Sequence, residues 1–419
     1  MTALRKLFGT DGVRGVAGVD LTEDLARELG AAATAVAGPG CRVVLGRDTR
    51  ESGPALEAAL VEGIVAGGGA ALTVGVIPTP GVAILVGRLG ADLGCVISAS
   101  HNAYTDNGIK FLGADGRKLP DAVEADVEAA MGSAPAPGGG SVEPVEDAAE
   151  RYADWLLETY GEGVQGDRLV VFDCANGAAA VAARRLAEGV HLDARFIGAD
   201  PDGRNINEGV GSTHLEAVAA AVEAAEADCG LAFDGDADRC LAVDRRGRPV
   251  NGDAIIAALA IERHGRHALA GDRVVVTSMT NLGFHRLMRE HGIAVEVTDV
   301  GDRYVLERML ETGATLGGEQ SGHVIDLEHH TTGDGLATAL MLLGVLDRLN
   351  VSMEEVVDLV RPFPQKLVAV PADRGALEGA DRIWQEVRAA EAKLGEDGRV
   401  VLRASGTEAV VRVMVEAAD

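Results

Sequence analysis

Residues 42–77 read RVVLGRDTRESGPALEAALVEGIVAGGGAALTVGVI. The aliphatic runs Arg42 to Gly46 and Ala71 to Ile77 have the length and composition of buried strands. The alanine-rich run Ala55 to Ala66 between them is typical of a helix. Strand, helix and strand in this order predict a βαβ unit, and a further strand at Gly94 to Ile97 continues the pattern. The sequence therefore predicts an α/β protein.

The alternation of strands and helices restarts along the chain, which at 419 residues is longer than one hydrophobic core usually supports. The stretch 133–144, SAPAPGGGSVEP, is rich in Pro, Gly and Ser and predicts a linker or a long surface crossing. Further breaks fall near Asp244 and Asn350, and RPFPQ at 361–365 precedes a short tail. We expect three α/β domains with mixed sheets and a smaller C-terminal α+β domain, at residues 1–140, 141–245, 246–352 and 353–419.

The composition excludes several classes of protein. The formal charge of −27 repels phosphate backbones and anionic head groups, so we expect neither nucleic-acid nor membrane-surface binding. The five cysteines are odd in number and scattered, as in a reducing compartment. The N-terminus lacks an apolar export signal, and the longest apolar stretch, Leu336 to Leu346, is too short to span a bilayer. We therefore expect a cytoplasmic protein.

A polar segment follows an apolar strand at 97–102, ISASHN, and DNGIK at 106–110 comes soon after it. A serine hydroxyl is a weak nucleophile unless a base, a cation or a metal assists it. This segment places His101 and Lys110 near Ser100 in the sequence. A strand-ending turn capped by serine hydroxyls explains the same residues equally well, so the segment alone leaves both interpretations open.

Carboxylates alternate in DGDADR at 234–239, directly after another apolar run. Three oxygen ligands at this spacing suit a hard divalent cation, with Mg²⁺ the obvious candidate. A calcium loop of EF-hand type is excluded, because Arg239 and Arg245 stand where that loop needs glycine and a bidentate glutamate. A solvated acidic turn remains the alternative in so acidic a chain.

Two further clusters offer chemistry for a phosphorylated sugar. RASGTE at 403–408, with Arg412 beyond it, combines guanidinium groups, hydroxyls and a glycine whose N–H can approach a phosphate closely. GEQSGH at 318–323 presents a carboxylate, a hydroxyl and an imidazole that suit sugar hydroxyls. Simple turns explain each cluster about as well in isolation. No GxxxxGK[ST] loop is present, which excludes P-loop nucleotide binding.

Together, and in this order, the clusters resemble the α-D-phosphohexomutase superfamily over nearly the whole chain. FGTDGVRG, NINEGVGSTH and Gln320 are similar to the branch that acts on hexosamine phosphates. The matching motifs are FGTDGVRG (8–15), GRDTR (46–50), ISASHNAYTDNGIKF (97–111), DCANGA (173–178), PDGRNINEGVGSTH (201–214), DGDADR (234–239), GDRYV (301–305), GEQSGH (318–323) and RASGTEAVVRVMVE (403–416).

The resemblance implies four domains around a central cleft and an intramolecular phosphotransferase of the isomerase class. Ser100 would carry a phosphoryl group, and Asp234, Asp236 and Asp238 would bind one Mg²⁺ together with an oxygen of that phosphoserine. The expected reaction interconverts glucosamine 6-phosphate and glucosamine 1-phosphate through a 1,6-bisphosphate, for UDP-N-acetylglucosamine synthesis. Glucosamine or glucose 1,6-bisphosphate is the expected activator. Phosphoglucomutase or phosphomannomutase activity is the alternative.

The resemblance also assigns roles to single residues. Lys110 and His323 are the acid and base candidates, and His101 supports the serine loop. Arg14 and Arg239 would lie near the transferred phosphoryl group. The residues expected to bind substrate are Gly301, Asp302, Glu319, Ser321 and His323, with Arg403, Ser405, Gly406, Thr407 and Arg412 for the phosphate that does not react.

Three positions depart from the superfamily pattern. Ala103 and Ala409 stand where proline is usual, and Ala404 replaces Lys or Pro. Both loops lose the rigidity of proline, which we expect to affect rate more than reaction type. The fourth domain is expected to close over the cleft about a hinge near 361–365.

The assembly and the origin of the phosphoserine are open at this stage. A homodimer is an expected assembly, and either a partner kinase or transfer from a bisphosphate would first phosphorylate Ser100. A catalytically silent sugar-phosphate-binding protein is a different class, but it would be expected to lose the serine or the aspartates. A serine-based phosphatase would release inorganic phosphate.

Overall fold

The computed structural model describes residues 7–9, 11–132, 139–372, 376–377, 379–395, 398–404 and 410–418. Its strands form four separate sheets, which follow one another in chain order. Helices pack on these sheets, and the last sheet is the smallest. The predicted class, several α/β units with a smaller C-terminal unit, is confirmed.

The first sheet contains the βαβ unit predicted from residues 42–77. Its strands are β1 (Val13–Val16), β2 (Arg42–Arg47), β3 (Ala70–Val76), β4 (Leu93–Ile97), β5 (Asp106–Gly113) and β6 (Ser141–Pro144). Its helices are α1 (Glu23–Ala37), α2 (Gly53–Ala66), α3 (Thr79–Arg88) and α4 (Asp121–Ala130). The strand order is β1-β5-β4-β2-β3-β6. Strand β2 runs parallel to β3 and β4, whereas β5 runs antiparallel to β4 and β1.

The edge strand β6 lies inside the stretch that the composition assigns to a linker. Ser141 to Pro144 pair in parallel with Ala70 to Thr73 of β3. All four β6 residues are exposed, so the strand needs no apolar pattern of its own. A proline is tolerated there because an edge strand has one side without ladder hydrogen bonds.

The second and third sheets repeat the layered architecture. The second has β7 (Leu169–Asp173), β8 (Asp193–Ile197), β9 (Cys229–Phe233), β10 (Cys240–Asp244) and β11 (Pro249–Val250), with α5 (Ala148–Tyr160), α6 (Ala180–Gly189) and α7 (Leu215–Ala225). The third has β12 (Arg273–Thr277), β13 (Ala294–Thr298), β14 (Leu316–Gly318) and β15 (Val324–Asp326), with α8 (Gly252–Gly265), α9 (Leu282–Glu290), α10 (Asp302–Thr312), α11 (Gly335–Leu349), α12 (Met353–Leu359) and a 3₁₀ turn (Ala270–Asp272). Their strand orders are β11-β10-β9-β7-β8 and β13-β12-β14-β15. Both sheets mix parallel and antiparallel pairs, as predicted.

The fourth sheet is antiparallel throughout. It consists of β16 (Gln365–Pro371), β17 (Gly398–Ala404) and β18 (Val410–Ala417), with α13 (Asp381–Leu394). Strand β18 lies in the middle, paired with β16 and β17. Every residue of β16 is exposed. Strand β16 therefore contributes no buried side chain to a core of this unit.

One apolar cluster joins the first three units. Val44, Phe172 and Val276 come from three different sheets and belong to the same continuous core. Helix α11 is buried from Gly335 to Leu346 within it. Within the described ranges no single helix is long and apolar enough to cross a membrane, and only the bent pair α11 and α12 meets that test, by length and composition alone.

The polar loops that follow β4, β9 and β14 meet above this core. The backbone N–H of Thr79 donates to the carbonyl of Asp236 at 3.0 Å, which joins the first unit to the second. The N–H of Cys240 donates to the carbonyl of Gly322, also at 3.0 Å, and joins the second unit to the third. The carboxyl ends of strands from three sheets thus line one region, where α/β proteins usually bind ligands.

Candidate active site

Ser100 stands at the end of β4 with an unusual backbone. Its φ is +51°, in the left-handed region that few residues other than glycine adopt. The side chain is 3% exposed, and its hydroxyl donates to Asp234 Oδ2 at 2.5 Å. His101 Nδ1 lies 3.3 Å from the same hydroxyl. The structure therefore brings the predicted nucleophile, its supporting histidine and one predicted metal ligand together.

A buried arginine holds the serine loop in this conformation. Arg50, which is fully buried, donates to the carbonyls of Ser100 and Asn102 at 2.9 Å each, and also to the carbonyl of Ala103. Asp48 accepts from Arg50 Nε at 2.8 Å, in an ion pair that is itself buried. Contacts to Ala103 thus hold the loop at a position that lacks the usual proline.

Arg50 was assigned no role from the sequence, although it belongs to the GRDTR motif, which matches the superfamily. Two other supports of the loop were also missed. Ser98 Oγ accepts from the N–H of Ser100 at 2.9 Å, and the Asn207 side chain donates to the carbonyl of Ser100 at 2.9 Å. Asn207 lies in the NINEGVGSTH motif. Only the tertiary structure shows that these distant motifs contact one loop.

The three aspartates of DGDADR form a compact buried cluster. One oxygen from each of Asp234, Asp236 and Asp238 lies within 4.8 Å of the others. Burial raises the pKa of Asp234 well above its ordinary value, and the charges of Asp238 and Asp236 raise it further. Oδ1 of Asp236 and Oδ1 of Asp238 are buried without a hydrogen-bond partner among the described residues. Unpaired carboxylate oxygens in a buried acidic cluster fit a hard divalent cation.

Positive side chains surround this cluster. Lys110 is buried, and its Nζ lies 4.0 Å from Asp236 Oδ2 and 3.4 Å from Asp11 Oδ1. Burial lowers the pKa of Lys110, and the nearby ammonium of Lys118 lowers it further. The Nε atoms of Arg14 and Arg239 are buried and make no hydrogen bond within the described part of the chain. Guanidinium donors without a hydrogen bond, beside the acidic cluster that Ser100 contacts, suit the oxygens of a phosphoryl group.

His323 is buried with both ring nitrogens near protein groups. Its Nδ1 lies 3.5 Å from Asp238 Oδ2, and its Nε2 accepts from the N–H of Gly333 at 3.1 Å. Burial lowers the pKa of His323, but Asp238, Asp302 and Glu319 together raise it above its ordinary value. Residue 333 is glycine because a Cβ there would come within 2.6 Å of the imidazole ring. The ring therefore contacts a predicted metal ligand.

The other predicted sugar-binding residues lie in and beside the same turn. Glu319 Oε1 accepts from the N–H of Gly301 at 3.1 Å, and Ser321 Oγ is buried without a partner in the described structure. Asp302, which was also predicted to bind substrate, does not belong to this turn. Its carboxylate lies 2.8 Å from Lys118 Nζ. The turn thus presents Glu319 and Ser321, while Asp302 contacts another unit of the protein.

Part of the predicted phosphate-binding loop can be located. Arg403 and Arg412 face each other in the register of β17 and β18. Burial lowers the pKa of Arg403, and the charge of Arg412 lowers it further, whereas Glu319 raises it. Two cations side by side favour an anion between them. Ser405, Gly406, Thr407 and Ala409 lie outside the described residues.

Comparison with known proteins agrees with this architecture. The chain matches the four phosphoglucomutase/phosphomannomutase domains in order, namely alpha/beta/alpha domains I (5–136), II (150–247) and III (251–363) and the C-terminal domain (364–419). A crystal structure of a phosphoglucomutase/phosphomannomutase family protein from Burkholderia thailandensis is 26% identical. It superposes with a TM-score of 0.84, over 99% of this chain and 93% of that one. Fold and site together define a phosphohexomutase, an enzyme of the isomerase class.

Sequence relatives identify the branch. Phosphoglucosamine mutase of Saccharopolyspora erythraea is 50% identical over 424 residues, which cover 99% of this chain and 95% of that protein. The chain belongs to the phosphoglucosamine mutase family. The N-acetylphosphoglucosamine mutase of Aspergillus fumigatus, solved in complex with GlcNAc-6P and magnesium, shares the fold at 16% identity. Its TM-score is 0.66, over 99% of this chain and 92% of that one.

Proposed function

We propose that this enzyme interconverts glucosamine 6-phosphate and glucosamine 1-phosphate by way of a phosphoryl group on Ser100. The observation that carries the proposal is the hydrogen bond of 2.5 Å between Ser100 and Asp234 inside the buried acidic cluster. The Nε atoms of Arg14 and Arg239, which are buried and make no hydrogen bond in the described structure, supply donors for phosphoryl oxygens. Full-length identity to phosphoglucosamine mutases supports the choice of sugar.

Asp234, Asp236 and Asp238 would hold one Mg²⁺, together with an oxygen of phosphorylated Ser100. Oδ1 of Asp236 and Oδ1 of Asp238, which are buried and accept no hydrogen bond among the described residues, support this assignment. A relative with the same fold was solved with magnesium. When bound, the cation would offset the negative charge of the three carboxylates and of the phosphoryl group.

In the first half-reaction, a free hydroxyl oxygen of the sugar phosphate attacks the phosphorus on Ser100. The bond from phosphorus to Ser100 Oγ breaks, the sugar hydroxyl loses its proton, and Oγ regains one. Lys110 is our choice for the proton transfer, because its amine lies beside the cluster. Arg14 and Arg239 hold the moving phosphoryl oxygens, and His101 orients Oγ from 3.3 Å. The 1,6-bisphosphate then turns over, and its other phosphoryl group returns to Ser100.

The sugar is held by the remaining predicted residues. Glu319 and Ser321 contact its hydroxyls or amine, and Arg403 and Arg412, with residues 405–407, bind the phosphate that does not react. His323, the other acid and base candidate, also orients the metal ligand Asp238, which its Nδ1 contacts at 3.5 Å.

Several wider predictions accompany this mechanism. We propose a cytoplasmic enzyme, activated by glucosamine or glucose 1,6-bisphosphate, with domains at 1–140, 141–245, 246–352 and 353–419. The activating kinase and the homodimer stay predictions from the sequence.

The test is a coupled assay with Mg²⁺ that runs glucosamine, glucose and mannose phosphates in parallel, with Ser100→Ala as the control. A preference for glucosamine phosphate that disappears in Ser100→Ala is the expected result. A preference for glucose or mannose phosphate would overturn the substrate and keep the mechanism. Undiminished activity of Ser100→Ala would refute the phosphoserine.

A further inference from the structure

The first turn of α10 is tied to the first unit by two neighbouring ion pairs. Lys118 Nζ lies 2.8 Å from Oδ2 and 3.0 Å from Oδ1 of Asp302. The next residue, Arg303, pairs with Asp121 at the start of α4. Asp302 and Arg303 of the third unit therefore form ion pairs with two residues of the first unit that lie close together in the sequence.

Lys118 contacts a second carboxylate besides that of Asp302. Its side chain is 21% exposed, and Nζ also contacts Asp11 Oδ1 at 2.7 Å. Asp11 in turn contacts Lys110 at 3.4 Å and pairs with Arg14. Lys118 thus bridges carboxylates from two units, one beside the predicted phosphoryl site and one at the start of α10.

The turn that Lys118 holds also contacts the sugar-binding turn. Gly301, one residue before Asp302, donates its N–H to Glu319 Oε1 at 3.1 Å. Gly301 has a φ of +139°, which suits glycine and leaves little freedom to exchange that residue. A shift of the turn relative to the first unit would therefore move the donor that orients Glu319.

We propose that Lys118 is a positioning residue for sugar binding. Through Asp302 it fixes the first turn of α10 against the first unit, and through Gly301 it sets where Glu319 stands relative to Ser100. This role rests on the proposed contact between Glu319 and the sugar. Lys118 acts through the two carboxylates that bind its ammonium, Asp11 and Asp302.

Two routes lead from Lys118 into the site, and they give different kinetics. If Lys118 acts through Asp302 and Glu319, its loss weakens binding of the sugar and raises KM. If it acts through Asp11 on Lys110 and Arg14, its loss slows phosphoryl transfer and lowers kcat. Asp302→Asn breaks only the first route, since it leaves the contact of Lys118 with Asp11 in place.

The experiment measures KM and kcat for glucosamine 6-phosphate in Lys118→Met, Asp302→Asn and the double variant. We expect each single variant to raise KM roughly five- to tenfold with kcat within about twofold, and the double variant to raise KM no further. Lys118→Arg should restore most of the loss, because a guanidinium can bridge the same carboxylates. Arg117→Met removes a positive charge from the same loop and should leave both constants unchanged.

Three results would overturn the inference. The first is a fall in kcat without a change in KM in Lys118→Met alone, which would assign Lys118 to the Asp11 route. The second is additive effects in the double variant, which would make Asp302 an independent contact. The third is a KM that is unchanged in Lys118→Met although the KM of Glu319→Gln is raised. An unchanged KM in Glu319→Gln would instead refute the proposed sugar contact, separately from Lys118.

Discussion

At the scale of single residues, the backbone of Ser100 stores strain that its neighbours offset. A left-handed conformation costs a residue other than glycine about 1 kcal/mol or more. Arg50 and Asn207 both donate to the carbonyl of Ser100, so that carbonyl keeps its partners only in this conformation. The hydrogen bond from the Ser100 hydroxyl to Asp234 depends on this arrangement.

We therefore expect Arg50→Lys to disable the serine loop. Lysine keeps the charge but loses the planar fork that reaches several carbonyls at once, so kcat should fall roughly 10- to 100-fold. Steady-state kinetics and intact-mass measurement of phosphate on Ser100 would check this. Arg47→Lys, in the same motif but paired with Glu57, is the control. Equal activity of the two variants would contradict the role given to Arg50.

Gly333→Ala tests the contact between His323 and Asp238. A Cβ at residue 333 would lie 2.6 Å from the ring of His323 and must displace it. Because groups that orient metal ligands usually influence affinity by about tenfold or more, the Mg²⁺ concentration for half-maximal activity should rise by that factor. Gly87→Ala is the control, since a Cβ at Gly87 meets nothing within 4 Å. An unchanged Mg²⁺ dependence would show that His323 does not act through Asp238.

His330 gives the fold a dependence on pH. Burial lowers the pKa of His330 from its ordinary 6.5 to about 4. Between these values the unfolded chain binds more protons than the folded chain, so the histidine's contribution to stability is lost as the pH falls. Burial of Asp334 raises its pKa to about 6, and this acts in the opposite direction, since the folded chain then binds the extra proton.

Comparison with His330→Asn measures the histidine together with its contact to Asp334, since His330 Nε2 lies 3.6 Å from Asp334 Oδ2. Asparagine keeps an acceptor where His330 Nδ1 accepts from the N–H of Thr331 at 2.8 Å. Between pH 7 and pH 4 the variant should lose less unfolding free energy than the parent, by up to about 3 kcal/mol. Calorimetry at both pH values measures this, with His267→Asn as an exposed control. Parallel losses in parent and variant would disprove the burial argument.

At the scale of elements, apolar runs predicted the strands well, because burial on both faces leaves a continuous aliphatic signature. The expected strand Arg42 to Gly46 is Arg42–Arg47 in the structure, and the expected strand Gly94 to Ile97 is Leu93–Ile97. Strand β5 was missed because it begins with the polar residues of DNGIK, of which Asn107 and Lys110 are buried beside the site. Asn107, in that stretch, is fully buried.

The candidate site was predictable as a set of motifs but not as a set of contacts. Ser100 and the three aspartates could be named because their residue types carry the chemistry. Lys118 and Asn207 could not, because each acts through a partner more than 100 positions away. Nothing in local periodicity records such a partner.

Strand β18 anchors the fourth unit through Glu416. This carboxylate is fully buried, accepts from the N–H of Leu282 at 2.9 Å at the start of α9, and binds Arg399 Nε at 2.7 Å. A negative charge at a helix N-terminus is favourable. Glu416→Gln should therefore weaken the anchor by about 2 to 4 kcal/mol.

Hydrogen exchange would measure that loss as faster exchange in β16 and β18, and KM should rise because Arg403 lies in the same sheet. Lys366→Gln, an exposed change on β16, is the control and should leave exchange as it is. If Glu416→Gln exchanged no faster than the control, the carboxylate would not be the anchor.

At the scale of the whole molecule, the first three units are joined more firmly to one another than the fourth unit is to them. The first three share one continuous apolar core. From Gln365 onward, the described residues of the fourth unit add only Val411 and Met414 to the buried apolar side chains, and α13 buries none. The unit that carries Arg403 is therefore the one most able to rotate about its attachment at Glu416.

Closure of that unit should be visible in solution. Phe363 is fixed to α9, because Asn281 Oδ1 accepts from its N–H at 2.9 Å and the Asn281 amide donates to its carbonyl at 3.1 Å. Within the hinge predicted at 361–365, the residues able to move are therefore those after Phe363, namely Pro364 and Gln365. Adding glucose 1,6-bisphosphate and Mg²⁺ should lower the radius of gyration in X-ray scattering, and Arg403→Ala should abolish the decrease. An unchanged radius in an active parent enzyme would mean that the bisphosphate reorients without domain closure.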